Sequence, residues 1–240
     1  MFGGTDAKVD EFPYMVSLRY NHNHFCGASI LNSRTIITAA HCFTHGSTAN
    51  ADDVKAVVGS IYLKSGGTEY QISKIIIHPE YKNKRFHAND IAVLITSEPI
   101  TTSESVGFID LPSSTTGADV NVTMSGWGHT ESGRDLPNTL KKMSLTTLSN
   151  DDCNNKQEPY LDPVHPTNLC TFNKVGKGVC GGDSGSPLVD GKYLVGIASY
   201  ITKPLKRPGD PPLNMCANGL PDVYTRVSSY VPWINNNAQS

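Results

Sequence analysis

Three short stretches carry side chains that could act on one another. Thr38-Ala39-Ala40-His41-Cys42 ends an apolar run with an imidazole beside a cysteine, Asn89-Asp90-Ile91-Ala92-Val93-Leu94 opens one with a carboxylate, and Gly181-Gly182-Asp183-Ser184-Gly185-Ser186-Pro187 sets a serine among glycines. A serine hydroxyl is a poor nucleophile near neutral pH. It needs a base to take its proton, a group to orient that base, and donors for the oxyanion formed when it attacks a carbonyl. His41, Asp90 and Ser184 supply the first three parts, and the glycines let backbone N–H groups approach a substrate carbonyl. Taken singly, each stretch has a plainer reading: one structural histidine of the chain's eight, an Asp capping a strand, a Gly-Asp-Ser-Gly turn. Together the three stretches hold the nucleophile, base and orienting group that acyl transfer by a serine requires.

These residues have to be carried by something rigid. Met15-Val16-Ser17-Leu18, Ile36-Ile37-Thr38-Ala39-Ala40, Ile75-Ile76-Ile77 and Leu194-Val195-Gly196-Ile197-Ala198 are short, rich in β-branched residues and bounded by Gly, Pro, Asn and Ser, which predicts strands. With 21 glycines and 15 prolines spread along the chain, helices would be interrupted often, so an all-β barrel or sandwich is expected and an α/β architecture is not. The longest helix expected runs from about Ser229 to Ala238, with Tyr230, Val231 and Ile234 toward a core. The polar stretch Leu111-Pro112-Ser113-Ser114-Thr115-Thr116-Gly117 reads as a connector, dividing the chain into residues 1–112 and 113–240. The proline-rich basic stretch from Thr202 to Leu213 reads as a solvated surface loop rather than a substrate-contacting rim.

Composition narrows the possible partners. Net charge is −2 with 18% charged residues, which suggests neither nucleic acid nor an anionic membrane surface as a partner. No run approaches the roughly 18 apolar residues of a membrane span. No basic-then-apolar leader precedes Gly3-Gly4, so the chain reads as a mature, secreted form. The six cysteines form no CxxC pair, which favours disulfides over zinc or redox chemistry; their order suggests local loops, but pattern alone leaves many pairings open. The segment Ser60–Tyr70 holds one acid, Glu69, too few for calcium. As metal ligands, His22-Asn23-His24 and the segment from His41 to His45 are disfavoured against ordinary surface or core histidines, His41 being already assigned as base, and no metal or cofactor is expected. Asn121-Val122-Thr123 is a glycosylation sequon set in an apparent strand.

At the three reactive stretches the sequence resembles the chymotrypsin/trypsin family of serine proteases. The likeness runs nearly end to end, through Phe25-Cys26-Gly27-Ala28-Ser29, His78-Pro79-Glu80-Tyr81, Ser125-Gly126-Trp127-Gly128, Val195-Gly196-Ile197-Ala198-Ser199-Tyr200 and Val223-Tyr224-Thr225-Arg226-Val227. It implies two antiparallel six-stranded barrels forming one peptidase domain with the site between them, and disulfides Cys26–Cys42, Cys153–Cys170 and Cys180–Cys216. His41 would be general base and then acid, Asp90 would fix its tautomer, and Ser184 would form the acyl-enzyme, with the N–H groups of Gly182 and Ser184 as oxyanion hole. Ser199 and Tyr200 would pair with substrate backbone, and Ser199 would also reach Asp90. Protein or peptide substrates, protein inhibitors and a monomeric state are the partners and assembly so implied.

Several positions depart from the family pattern. Met1-Phe2 stand where Ile-Val is usual; the resemblance implies that the α-ammonium freed on zymogen cleavage pairs with Asp183, and Met1 is expected to be that residue. Gly178, followed by Val179, matches the pocket floor where trypsins carry an aspartate. Asp222 falls where glycine is usual on the pocket wall, and Ile201 where glycine commonly opens the entrance. Chymotrypsin-like or broad specificity is therefore expected, with tolerance of basic residues through Asp222. Ser186 replaces a glycine two residues after Ser184. The alternatives are a catalytically silent homologue acting as a binding or inhibitory protein, against which the complete set of reactive residues argues, and a serine esterase of the α/β-hydrolase class, whose chain order would be reversed.

Overall fold

A computed structural model describes residues 1–44, 50–82, 88–130, 135–157, 161–172, 174–203 and 216–240. Two closed antiparallel barrels account for most of them. The first is formed by β2 (Met15–Tyr20), β3 (Asn23–Ile30), β4 (Thr35–Thr38), β5 (Val54–Val58), β6 (Thr68–Ile77) and β7 (Ala92–Thr96), closed in the order β2-β3-β4-β7-β6-β5. The second uses β8 (Asn121–Gly126), β9 (Lys141–Leu148), β10 (Asn168–Phe172), β11 (Pro187–Asp190), β12 (Tyr193–Ile201) and β13 (Asp222–Arg226), with β8 pairing both β11 and β9 to close the ring.

The apolar runs fold this way because many strands are buried on both faces. In β4, Ile36 enters the interior of the first barrel while Ile37 faces the seam between barrels. β7 repeats this, Ala92 and Leu94 inward, Val93 and Ile95 into the seam. In the second barrel, Leu188 of β11 and Val195 of β12 point inward, while Val189 and Ile197 join the same seam. Side chains of a strand alternate faces, so a two-sided burial writes itself as an uninterrupted hydrophobic run. β9 shows the other case, with Met143, Leu145 and Thr147 buried and Ser144 and Thr146 exposed.

The C-terminal helix, α2 (Val231–Asn237), follows a 3-10 turn at Val227–Tyr230, and Tyr230 and Ile234 are buried in the seam cluster, whereas Val231 is only half-buried. A second helix, α1 (Asn150–Lys156), was not expected from the sequence; Ser149 caps it by accepting from the Asp152 N–H, and Cys153 ties it to β10. The disulfides join Cys26 to Cys42, Cys153 to Cys170 and Cys180 to Cys216.

Pro112 falls in the connection between β7 and β8. The first residues, however, do not go with the first half: β1 (Thr5–Asp6) pairs with Lys141 and Lys142 of β9, so the chain begins on the second barrel and then crosses to build the first. Of the stretch read as a surface loop from Thr202 to Leu213, Thr202 and Lys203 are described and the rest lies outside the described residues, as does His45. Thr202 is buried at 4% exposure, so the beginning of that stretch belongs to the protein wall rather than to solvent. No helix among the described residues is long and apolar enough to cross a membrane.

Candidate active site

The seam brings the predicted acid and base together. His41 stands on a 3-10 turn, Ala40–Phe43, directly after β4, and the Cys26–Cys42 disulfide pins the next residue to β3. Asp90 sits just before β7 and is fully buried, and Asn89 before it takes a left-handed φ of 60°, which asparagine tolerates better than most residues. Asp90 Oδ1 accepts from the His41 backbone N–H at 2.8 Å, and Oδ2 is 2.7 Å from His41 Nδ1 and 2.5 Å from the Ser199 hydroxyl, which donates to it.

An ionised carboxylate only accepts, so the Nδ1 position carries the proton and Nε2 is left with the lone pair. Burial disfavours the imidazolium, but the charge of Asp90 and its hydrogen bond outweigh it and raise the His41 pKa above 6.5. Burial likewise works against the Asp90 carboxylate, and the His41 charge with the bonds from His41 and Ser199 overcomes it, so this group is held below its ordinary range.

Ser184 lies on a turn locked against the same segment. Its carbonyl accepts from the Gly27 N–H at 2.8 Å, next to Cys26, and the Thr38 hydroxyl donates to the Gly27 carbonyl at 2.8 Å. Gly185, at φ +76°, is so close that a Cβ there would lie 2.2 Å from Thr38 Oγ1 and 2.4 Å from the Gly27 carbonyl oxygen. Gly182, at φ +92°, is hemmed in by Leu136, 2.8 Å from where its Cβ would be. Only glycine fits either position, and the turn therefore comes within reach of the loop that bears His41.

His24, which the sequence left as a surface or core histidine, has a definite place here. Its Nε2 meets the Gly182 carbonyl at 3.0 Å and its Nδ1 meets the Ser17 hydroxyl at 2.9 Å, with its ring edge-on to Trp127. Burial, opposed by the Gly182 bond and the charge of Asp183, lowers its pKa and favours the neutral ring. A neutral ring donating from Nε2 and accepting at Nδ1 satisfies both partners and holds the Gly182 peptide. Nothing in the local sequence distinguishes it, because the contact spans the two barrels.

Behind this turn lies a second buried charge. The Met1 ammonium donates to the carbonyls of Gly128 and His129 and forms an ion pair with Asp183 Oδ2 at 3.1 Å. The Asp183 carboxylate also accepts from the N–H groups of Gly128, at 2.7 Å, and Cys180, at 3.0 Å. The Met1 side chain is buried in the interior of the second barrel, and Phe2 exchanges backbone hydrogen bonds with Gly178.

A cleft of about 710 Å³ opens beside Ser184. Val179, Ser199, Tyr200 and Ile201 line it as expected, together with Cys180, Gly181 and Ala198. Gln157, Leu161 and Asp162 line it too and carried no signal in the sequence, and Thr202 and Lys203, the first residues of the stretch read as a surface loop, also line it. Gly178 and Asp222 are not among the lining residues. Gly178 has no side chain to reach the space and is engaged by Phe2, while Asp222, at 4% exposure, sits one layer behind the wall, where its Oδ2 accepts from the Val179 N–H at 2.8 Å.

Two closed β-barrels with an imidazole, a carboxylate and a glycine-flanked serine at their seam define a class, the serine endopeptidases. The trypsin family model matches residues 1–234. Chymotrypsin-2 of Vespa crabro is 37% identical over 236 residues, covering 98% of each chain. Trypsin-1 of Astacus astacus is 35% identical, covering 98% of this chain and 99% of its own, and Trypsin alpha-4 of Lucilia cuprina is 34% identical, covering 99% and 87%. The chain belongs to the trypsin family and is a serine endopeptidase.

Breaking the buried ion pair should be expensive. Asp183→Asn leaves the Met1 ammonium with carbonyl partners only and should cost about 3–5 kcal/mol of stability. Denaturant unfolding measures the loss, and a cost within a few tenths of zero would show that the pair contributes nothing.

Proposed function

We propose that Ser184, His41 and Asp90 hydrolyse peptide bonds through an acyl-enzyme intermediate. The Ser184 hydroxyl attacks the scissile carbonyl while His41 Nε2 takes its proton. The oxyanion is met by the N–H groups of Gly182 and Ser184, and the tetrahedral species collapses as His41 returns the proton to the leaving amine. Water then repeats the sequence on the acyl carbon and frees the serine. Asp90 remains ionised, keeps Nδ1 protonated, and stabilises the imidazolium formed at each step. The observation that carries this reading is the buried Asp90 carboxylate bonded twice to His41 and once to Ser199, beside a Ser184 turn that only glycines allow.

The Met1–Asp183 ion pair is proposed to hold the Gly182–Ser184 turn in shape, since Asp183 lies between the two oxyanion donors. Secretion as a disulfide-stabilised monomer acting on protein or peptide substrates, and open to protein inhibitors, fits the family and the three disulfides.

For the cleft we propose chymotrypsin-like or broad specificity with tolerance of basic residues. Position 178 offers no carboxylate, and Ile201 narrows the wall, so a strict preference for Arg or Lys has no floor charge to rest on. Asp222 supplies a negative charge through the Val179 backbone from one layer deeper. Ser199 and Tyr200, at the end of β12, offer strand edge for the substrate backbone.

A fluorophosphonate probe should label Ser184 in the wild type and leave Ser184→Ala unlabelled, with peptidase kcat falling by about 10⁶-fold in that variant; equal labelling of the two would refute the nucleophile. His41 must be neutral to accept a proton, and its pKa is raised, so the labelling rate should fall as pH drops with a midpoint above 6.5. A midpoint below that value would contradict the Asp90–His41 coupling. On a panel of peptide substrates, Asp222→Gly should lower kcat/KM for arginyl and lysyl substrates about tenfold relative to aromatic ones. Equal cleavage of arginyl substrates by both proteins would show that the charge is not sensed.

A further inference from the structure

The proposed role of Asp90 leaves its main chain to be explained. Residues 89–90 precede β7 of the first barrel, yet part of what holds them comes from the second barrel and the segment that follows it. The left-handed φ of 60° at Asn89 precedes an Asp90 carbonyl that meets the Thr225 hydroxyl, which donates to it at 2.7 Å. Thr225 is 1% exposed, lies on β13, and is paired with Ile197 of β12 and Asn168 of β10. β12 is also the strand that sends the Ser199 hydroxyl to the Asp90 carboxylate. Adjacent strands of one sheet therefore grip the same residue, one by the side chain and one by the main chain.

A third hydroxyl completes the grip. Tyr230, in the turn before α2, donates to Asn89 Oδ1 at 3.0 Å, while Asn89 Nδ2 donates to the Glu80 carbonyl at 3.2 Å. Tyr230 Oη is also 2.9 Å from the Thr167 hydroxyl. The phenol proton has two acceptors within reach, Asn89 Oδ1 and the Thr167 hydroxyl oxygen, so Tyr230 ties Asn89 to the segment before β10.

We propose that Thr225 is a positioning residue for the reaction: its bond to the Asp90 carbonyl, with the Tyr230 bond to Asn89, fixes the carboxylate in the plane where it meets both His41 donors. This rests on the triad reading given above. A valine at 225 keeps the shape of threonine and loses the donor, leaving a buried carbonyl unsatisfied at the one residue whose side chain must not move.

The test uses the full chain and the rate of fluorophosphonate labelling against pH, with thermal midpoints alongside. Thr225→Val should label about tenfold more slowly, and its acid limb should move to lower pH, because a loosened Asp90 raises the His41 pKa less. Thr225→Ser, which keeps the hydroxyl, should return to within about twofold of wild type with the original acid limb. Asp90 is the charge that acts on His41. The phenols that feel the same carboxylate are Tyr81, pushed up to about 12 by burial and that charge, and Tyr230, also raised by burial, so neither ionises in the acid limb. Should Thr225→Val fail to fold, Tyr230→Phe must shift the acid limb in the same direction. A lowered thermal midpoint with labelling rate and acid limb unchanged, while Asp90→Asn is slow, would overturn the positioning role alone. Wild-type labelling by Asp90→Asn would overturn the triad reading on which it rests.

Discussion

A carboxylate with no access to solvent is the constraint on which the rest of this molecule depends. An isolated buried charge would cost several kcal/mol, and its cheapest escape would be to take up a proton. Asp90 stays ionised because its two oxygens meet the His41 main chain, the His41 ring and the Ser199 hydroxyl. These partners come from β4's trailing turn in one barrel and β12 in the other. Neither barrel alone supplies all these partners, so the docked barrels together satisfy the charge. The apolar seam of Ile37, Val93, Ile95, Val189 and Ile197 drives that docking, and the polar network fixes its register.

Asp183 applies the same logic one turn away. Its charge is matched by Met1 and by the N–H groups of Gly128 and Cys180, all inside or against the second barrel. Of the two buried carboxylates, Asp90 is bonded to His41 and Ser199, and Asp183 lies between the proposed oxyanion donors. Glycines at 182 and 185 are the means by which backbone can pass between them, since a Cβ at Gly185 would strike Thr38 and Gly27. His24 adds a neutral clamp on the Gly182 carbonyl from the first barrel.

How much of this could be read from the chain follows from where each interaction is written. Strands buried on both faces, such as β4 and β7, leave continuous apolar runs and were plain in the sequence; the half-exposed β9, with a lysine pair and threonines, was not. α1 was missed because its body, Asn150–Lys156, is polar and short, and only the Ser149 cap and Cys153 mark it. The proposed reactive residues stand out in the sequence because each lies in a local motif. The pairing of β1 with β9, the clamp by His24 and the grip of Thr225 on Asp90 were not, being contacts between residues far apart in sequence. In the cleft, Val179 is among the lining residues while Gly178, which has no side chain, exchanges main-chain bonds with Phe2, a contact between residues far apart in sequence.

The coupling between Asp90 and His41 can be observed without any substrate, through the proton that His41 Nδ1 shares with the carboxylate. With the ring labelled with nitrogen-15, that proton should give a resonance far downfield of ordinary amides, bonded to Nδ1, and it should be lost in Asp90→Asn. Absence of such a signal across the range where His41 titrates, or its persistence unchanged without the carboxylate, would contradict the central claim that a buried charge at the seam sets the state of the base.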